Sequence, residues 1–151
     1  MAKATHNGTC QACGRKQAVN VKTGLLAKHG YVVDWGFHGV CSGAGKLPAE
    51  HDLTHMVKVQ AQLNEKAAFL ETRKAEEITA LMLHTKANRF GAKEWFTEDN
   101  INEARTYHRS WAQLQEGERV NGEYKAKNIR DHVAYLTRIV APVNGKELTE
   151  R

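Results

Sequence analysis

Hydrophobic and polar positions change rhythm near Pro48, and the two rhythms predict two kinds of structure. Before Pro48, short apolar pieces such as Tyr31-Val32-Val33 are separated by glycines, and eight of the twelve glycines fall between residues 1 and 46. Glycine at that density breaks helices and supplies tight turns, so the segment predicts a knuckle, short strands and loops with little apolar core. After Pro48 no glycine or proline occurs before Gly91, and the good helix formers Ala, Leu, Glu, Lys and Gln predominate. Leu53, Val57, Leu63, Ala67, Leu70, Ile78, Leu81 and Met82 follow at mostly helical spacing. They predict one helix over about 48–89, roughly 60 Å long at a rise of about 1.5 Å per residue.

Two shorter helices are expected beyond it. Thr97 followed by Glu98, Asp99 and Asn100 reads as a helix start, and Ile101, Ala104, Tyr107, Trp111 and Leu114 line one face of a helix over about 98–116. Ile129, Val133, Leu136, Ile139 and Val140 mark another over about 123–140, which stops before Pro142. Asn121-Gly122 is read as the turn joining them, with a small β-hairpin as the alternative. The expected fold is therefore mainly α, with a small N-terminal module of knuckle and short strands over 1–46. A helical region over 47–151 follows, made of a long helix and a helical hairpin. A stripe of roughly 60 Å exceeds what helices of roughly 30 Å can cover, which predicts a homodimer through the long helix as a coiled coil.

Composition narrows the class. Of 151 residues, 41% are hydrophobic and 26% charged, as in ordinary soluble domains, and no apolar run approaches the roughly 18–20 residues of a membrane span. The polar start, Met1 to Thr9, has no signal-peptide pattern, and three cysteines, an odd number, do not make a disulfide framework. Both point to a reducing cytoplasm. The net charge of +5 is unevenly placed: Lys3, Arg15, Lys16, Lys22, Lys28 and Lys46 meet only Asp34 in residues 1–46. In the remainder, sixteen basic residues face sixteen acidic ones. A small basic module attracts phosphate backbones or acidic protein surfaces, so Arg15, Lys16, Lys22, Lys28 and Lys46 are candidate partner contacts. Tyr31 and Trp35 join them as aromatic surfaces that can stack on bases or on a partner, although the same rings equally serve as the module's core.

Cys10-Gln-Ala-Cys13-Gly14 is the strongest local signal in the chain. The C-x-x-C spacing brings two thiolates to one ion, and the glycine lets the backbone fold over the sulfurs. Cys41 lies 28 residues beyond Cys13, at a loop length that closes a structural site, and a fourth ligand of histidine type completes it. His29, His38, His51 and His55 are all near enough in sequence, and spacing alone slightly favours His38, which forms an H-x-x-C knuckle with Cys41. His51 and His55 lie one helical turn apart, an arrangement more often a solvated face than a ligand pair. A redox-active thiol pair is the competing reading of the C-x-x-C, but no βαβ pattern surrounds it.

These residues also carry a resemblance. Cys10-x-x-Cys13-Gly14, then Gly24-Leu25-Leu26-Ala27-Lys28-His29-Gly30-Tyr31, then Cys41-Ser42-Gly43-Ala44-Gly45, resemble a family of uncharacterised zinc-finger-like proteins of bacteriophages and prophages with a long helical C-terminal region. The resemblance covers about 36 residues strongly and the helical part only in character. It implies Cys10, Cys13, His29 and Cys41 as zinc ligands, with His38 the alternative fourth ligand, and it brings no reaction with it. The sequence lacks the H-x-E and P-C-x-x-C elements of a zinc deaminase and the H-E-x-x-H of a zincin. Gly43-Ala44-Gly45-Lys46 lacks the spacing of a phosphate loop. The expected function is a phage-type zinc-binding accessory protein that binds a host protein. The alternative is a nucleic-acid-binding finger on a helical stalk, with a nuclease a more remote third.

Overall fold

The computed structural model describes residues 3–30, 39–88 and 90–151. Its elements are β1 (His6–Thr9), β2 (Lys16–Ala18), α1 (Thr54–Thr72), β3 (Leu81–Leu83), β4 (Glu94–Phe96), α2 (Trp111–Tyr135) and β5 (Thr149–Glu150). Short 3-10 turns cover Ala75–Glu77, Glu98–Glu103 and Ala141–Val143, and a π turn covers Leu136–Val140. The chain divides into two units: Met1–Ala67 with Lys127–Arg151, and Ala68–Ala126. Helix outweighs strand, but strands occur in both units, so the mainly α expectation holds only in this coarser form. No helix is long and apolar enough to cross a membrane among the described residues.

In the first unit a three-stranded antiparallel sheet has the order β2-β1-β5, with Asn7 opposite both Ala18 and Thr149. The unit's core is formed by Cys10, Ala12, Cys13 and Cys41 from the knuckles, Val19 and Leu26 from the module, Met56 and Val59 from α1, and Leu136 and Val140 from the end of α2. The module that the glycines deprive of a core thus shares one with two helices. Within this unit α1 and α2 run antiparallel: Arg130 donates to Asn64 at 3.0 Å, and the Gln60 amide donates to the Val133 carbonyl at 3.1 Å and the Thr137 hydroxyl at 2.8 Å. Gln60 therefore takes up a carbonyl just where the ladder widens into the π turn, as side-chain insertion into a helix does. That turn carries both fully buried Leu136 and Val140 into the knuckle core.

The expected helix over 48–89 is shorter at both ends. Pro48 is buried and starts a turn instead of a helix, because Ala49 donates its N–H to the Thr9 carbonyl at 2.8 Å and the Glu50 carboxylate is used beneath β1. The helix starts after Asp52, whose carboxylate accepts the Thr54 N–H at 3.1 Å, an ordinary capping arrangement. It ends at Thr72, whose hydroxyl bonds back to the Ala68 carbonyl at 2.8 Å, and the Glu77 carboxylate then accepts the Lys74 N–H at 3.0 Å to start a 3-10 turn. Leu81, Met82 and Leu83, read as part of a helical stripe, are a strand: Leu81 pairs with Phe96, both buried, and Met82 pairs with Trp95, both exposed. Pairing distant in sequence overrides helix propensity here. The helix behind the expected homodimer and coiled coil therefore has 19 residues, about 28 Å at about 1.5 Å per residue, and not roughly 60 Å.

The expected helices over 98–116 and 123–140, and the hairpin turn between them, are likewise replaced. Residues Glu98–Glu103 make a 3-10 turn, and α2 runs from Trp111 straight through Gly117 and Asn121-Gly122. Ser110 starts it: its hydroxyl accepts the Gln113 N–H at 3.2 Å and the Gln113 side chain accepts the Ser110 N–H at 2.9 Å, a reciprocal capping box. Gly122 remains helical because it serves close approach, since a Cβ there would lie 2.7 Å from the Arg73 guanidinium. Arg119 also pairs with both Glu116 and Glu123 along the same helical face, supporting the ladder across the glycines.

The second unit has its own small core of Ile78, Leu81 and Leu114, flanked by Leu83, Ile101 and Trp111. Just before α2 the backbone enters the left-handed region at two successive non-glycine residues, Tyr107 (φ 53°) and His108 (φ 63°), and Arg109 donates its N–H to the Thr106 carbonyl at 3.1 Å. This is the pattern of a turn that Asn-Gly fits and Tyr-His strains. Replacing Tyr107→Asn together with His108→Gly is expected to raise unfolding stability by roughly 1–2 kcal/mol. A urea titration checks it: the midpoint rises with an unchanged slope, and an unmoved midpoint means that the turn stores no strain.

Candidate metal centre

Local backbone geometry brings the ligands together from three places. Cys10 and Cys13 bracket a tight turn closed by the Gly14 N–H on the Cys10 carbonyl at 2.9 Å, and Gly14 adopts φ 75°, a conformation that favours glycine. A Cβ on Gly14 would also lie 2.5 Å from the Tyr135 ring. The Cys41 turn is closed by the Ala44 N–H on the Cys41 carbonyl at 3.0 Å. His29 is tied to that turn directly, because its carbonyl accepts the Cys41 N–H at 2.8 Å. Gly43 lies against the first knuckle so closely that a Cβ would stand 2.2 Å from Cys10 Sγ.

The result is a cluster of Cys10, Cys13, His29 and Cys41 whose ligand atoms all lie within 4.8 Å of one another. Cys10 Sγ is 3.7 Å from Cys41 Sγ, and Cys13 Sγ is 3.6 Å from His29 Nε2. A tetrahedral ion bonded to sulfur at about 2.3 Å and to nitrogen at about 2.0–2.1 Å separates two sulfurs by about 3.8 Å and a sulfur from a nitrogen by about 3.6 Å. The two observed spacings match edges of such a tetrahedron. The outer contacts agree with it: His29 Nδ1 is 2.8 Å from the Ala27 carbonyl, which fixes Nδ1 as the protonated nitrogen and aims the Nε2 lone pair inward. The Ala12 N–H donates to Cys10 Sγ at 3.4 Å, a contact that favours thiolate.

Electrostatics lead to the same donor chemistry. The Cys13 thiol is held far below the ordinary thiol range, first by its hydrogen bond with Cys10 and then by that with Cys41, while the same contacts push Cys10 and Cys41 up. A divalent cation allows all three sulfurs to ionise together. All three cysteines are buried, at 0%, 8% and 1% exposure for Cys10, Cys13 and Cys41, so charge left uncompensated there is costly. The residues therefore fit a metal ion.

The centre is packed into the unit by polar as well as apolar contacts. Buried Gln11, between the two knuckle cysteines, donates to the Leu47 carbonyl at 2.8 Å and accepts the Met56 N–H at 2.9 Å, which ties the knuckle to α1. His132 Nε2 contacts the Ala12 carbonyl at 2.8 Å, which ties it to α2. Next to Cys10, the Glu50 carboxylate, 3% exposed as a residue, accepts the Thr9 N–H at 2.8 Å, the Thr9 hydroxyl at 2.7 Å and the Lys16 ammonium at 2.9 Å.

Of the remaining expected site residues, Lys16 is thus committed to Glu50, and the Arg15 guanidinium donates to the Gly30 carbonyl at 3.4 Å. Lys22, Lys28 and Lys46 are exposed. Tyr31, Trp35 and the alternative ligand His38 lie outside the described residues. His51 and His55 do not belong to the cluster; His55 Nε2 instead meets Ser42 Oγ at 3.2 Å. The sequence reading missed Gln11, His132 and Glu50, which have no motif and become visible only once the helices are packed. No protein-family model matches the chain, and comparison with curated proteins and with solved structures finds no match.

Two outcomes follow from this geometry. Gly43→Ala is expected to weaken metal binding by about tenfold or more, since the new methyl displaces Cys10 Sγ; competition with a chromogenic chelator measures it, and unchanged affinity means the glycine is dispensable. Burial alone raises the Glu50 carboxyl, but Thr9 and Lys16 outweigh it and hold it below the ordinary carboxylate range. A depressed carboxyl contributes stability above its unfolded pKa, near 4.3, and loses it as pH falls through the folded value. Glu50→Gln should therefore cost roughly 1–3 kcal/mol near neutral pH, with the gap from wild type narrowing below about pH 4 in parallel denaturation curves.

Proposed function

We propose that the protein is a zinc-stabilised binding protein that acts by engaging another protein, the host-directed role expected for the phage accessory family that its N-terminal motif resembles. The observation that carries the reading is that all four tetrahedral positions are accounted for by side chains of this chain, Cys10, Cys13, His29 and Cys41. A three-thiolate, one-imidazole set is the donor chemistry of structural zinc, and a closed site stabilises a fold without presenting a metal-bound water. The one hydroxyl–imidazole contact nearby, Ser42 with His55, lacks a carboxylate on the other ring nitrogen among the described residues, which supports binding over hydrolysis.

A surface beside the centre suits a protein partner. Val19, Val21, Leu25 and Leu26 line a groove of about 750 Å³ in the first unit, and among the described residues its charged lining is Lys22 and Lys28. Val21 is half exposed there. Apolar walls flanked by two lysines favour a segment that presents apolar side chains beside carboxylates. The nucleic-acid reading of this module rests on Lys22, Lys28 and Lys46 with Tyr31 and Trp35; the apolar lining gives it less support than it gives a protein.

The test joins metal and partner. The purified full chain is expected to hold one zinc per chain by elemental analysis and to retain a bacterial protein through nuclease treatment. Leu25→Asp and Lys28→Glu should each abolish that retention, and the identified partner should form a 1:1 complex by calorimetry. Absence of zinc overturns the metal reading, whereas material released by nuclease, or capture indifferent to both substitutions, overturns the protein-binding one.

A further inference from the structure

The second unit contains a cationic and aromatic cleft that neither the metal centre nor the groove uses. It arises where the chain leaving β3 meets the chain leaving the 3-10 turn Glu98–Glu103. Thr85 bridges Ala104 in antiparallel fashion, the Arg105 N–H donates to the His84 carbonyl at 2.8 Å, and the Lys86 N–H donates to the Glu103 carbonyl at 2.9 Å. This short ladder sets Lys86 opposite Glu103 and Arg105 opposite His84, so that Lys86 and Arg105 are diagonal neighbours on one face of it. The Arg105 guanidinium is then held by two backbone carbonyls, Nε on Thr85 at 3.1 Å and Nη2 on Lys86 at 2.7 Å.

Backbone carbonyls orient a guanidinium without neutralising it. Among the described residues no carboxylate lies within ion-pair distance of Lys86 or Arg105, and this includes Glu103, which the ladder sets opposite Lys86. Lys86, Arg105, Thr106, Tyr107 and His108 line a cavity of about 300 Å³, so among the described residues the lining holds two cations, a hydroxyl, an imidazole and a phenol, with no acid. Tyr107 is 73% exposed, on the left-handed turn already described. A large aromatic ring kept in water on a strained backbone, next to two uncompensated cations, is the arrangement expected where a ligand supplies the missing contacts.

We propose that this cleft binds the nucleotide unit, with phosphate on Lys86 and Arg105 and the base on the Tyr107 ring. An oriented guanidinium matches the two-oxygen edge of a phosphate, a lysine adds a mobile point charge, and a tyrosine face accepts any base by stacking. His108 and Thr106 add donors at the rim. The same chemistry is offered by a free mononucleotide and by one residue of a single strand.

Fluorescence anisotropy with labelled dT12, and competition by unlabelled AMP, tests the proposal on the full chain. Lys86→Gln and Tyr107→Asn are the informative substitutions, the second because asparagine tolerates positive φ and keeps the turn while removing the ring. Each is expected to weaken binding about tenfold, and Lys86→Gln should also flatten the dependence of log affinity on log salt by about 0.7. Competition by AMP identifies the free nucleotide as sufficient, and its failure assigns the single strand. The proposal is overturned if neither probe binds, if both variants bind like wild type, or if Lys93→Gln, an exposed lysine outside the cleft, costs as much as Lys86→Gln.

Discussion

Convergence of three sulfurs and one imidazole nitrogen within 4.8 Å is the constraint on which the first unit depends. The residues that approach it are in large part there because of it. Gly43 lacks a side chain where Cys10 Sγ passes, Gly14 folds the knuckle under the Tyr135 ring, and Gln11 is directed away from the sulfurs to hold the start of α1. Leu136 and Val140 then close over the cysteines as the far wall of a single core. In a glycine-rich segment of this size, bonds to a metal ion would supply stability beyond what apolar burial gives.

Legibility in the sequence divided along the line between local chemistry and long-range packing. The C-x-x-C-G knuckle and Cys41 can be read directly, because ligand type and turn glycines are adjacent in the chain. The choice between His29 and His38 was not readable from spacing, and the His29 cluster depends on the Cys41 N–H bonding the His29 carbonyl across eleven intervening residues. Helix boundaries failed for identifiable reasons. Pro48 was buried as a wall beside Gly8, Leu81 and Phe96 paired across the long connection 84–93, and Gly122, inside α2, met the Arg73 side chain. One signal was available and overlooked: Ser110-Trp-Ala-Gln113 is a capping-box pattern that marks the start of α2.

Charge illustrates how averages conceal sites. Residues 1–46 hold a clear basic excess, yet Lys16 is consumed by Glu50 and Arg15 leans on the Gly30 carbonyl, so the excess available at the surface is smaller than the count. Residues 47–151 balance to zero, yet Lys86 and Arg105 stand together without an acid while Arg119 lies between two glutamates. Equal totals of opposite charge are compatible with strong local fields once some pairs are satisfied internally and others are left to solvent.

The sheet of the first unit joins His6 to Glu150, while the second unit is one unbroken segment in between. For a flexible chain, the entropy cost of closing a loop grows only with the logarithm of its length, so closing about 140 residues costs roughly 1.4 kcal/mol more than closing the 28 between Cys13 and Cys41. The order of events then matters more than the distance. A chain that first folds its middle removes those residues from the loop, and a chain that first captures metal has already fixed one edge of the sheet to which its last strand must return. The discontinuous unit is thus a clasp made of two distant stretches of chain, and the length of the segment between them adds little to the cost of closing it.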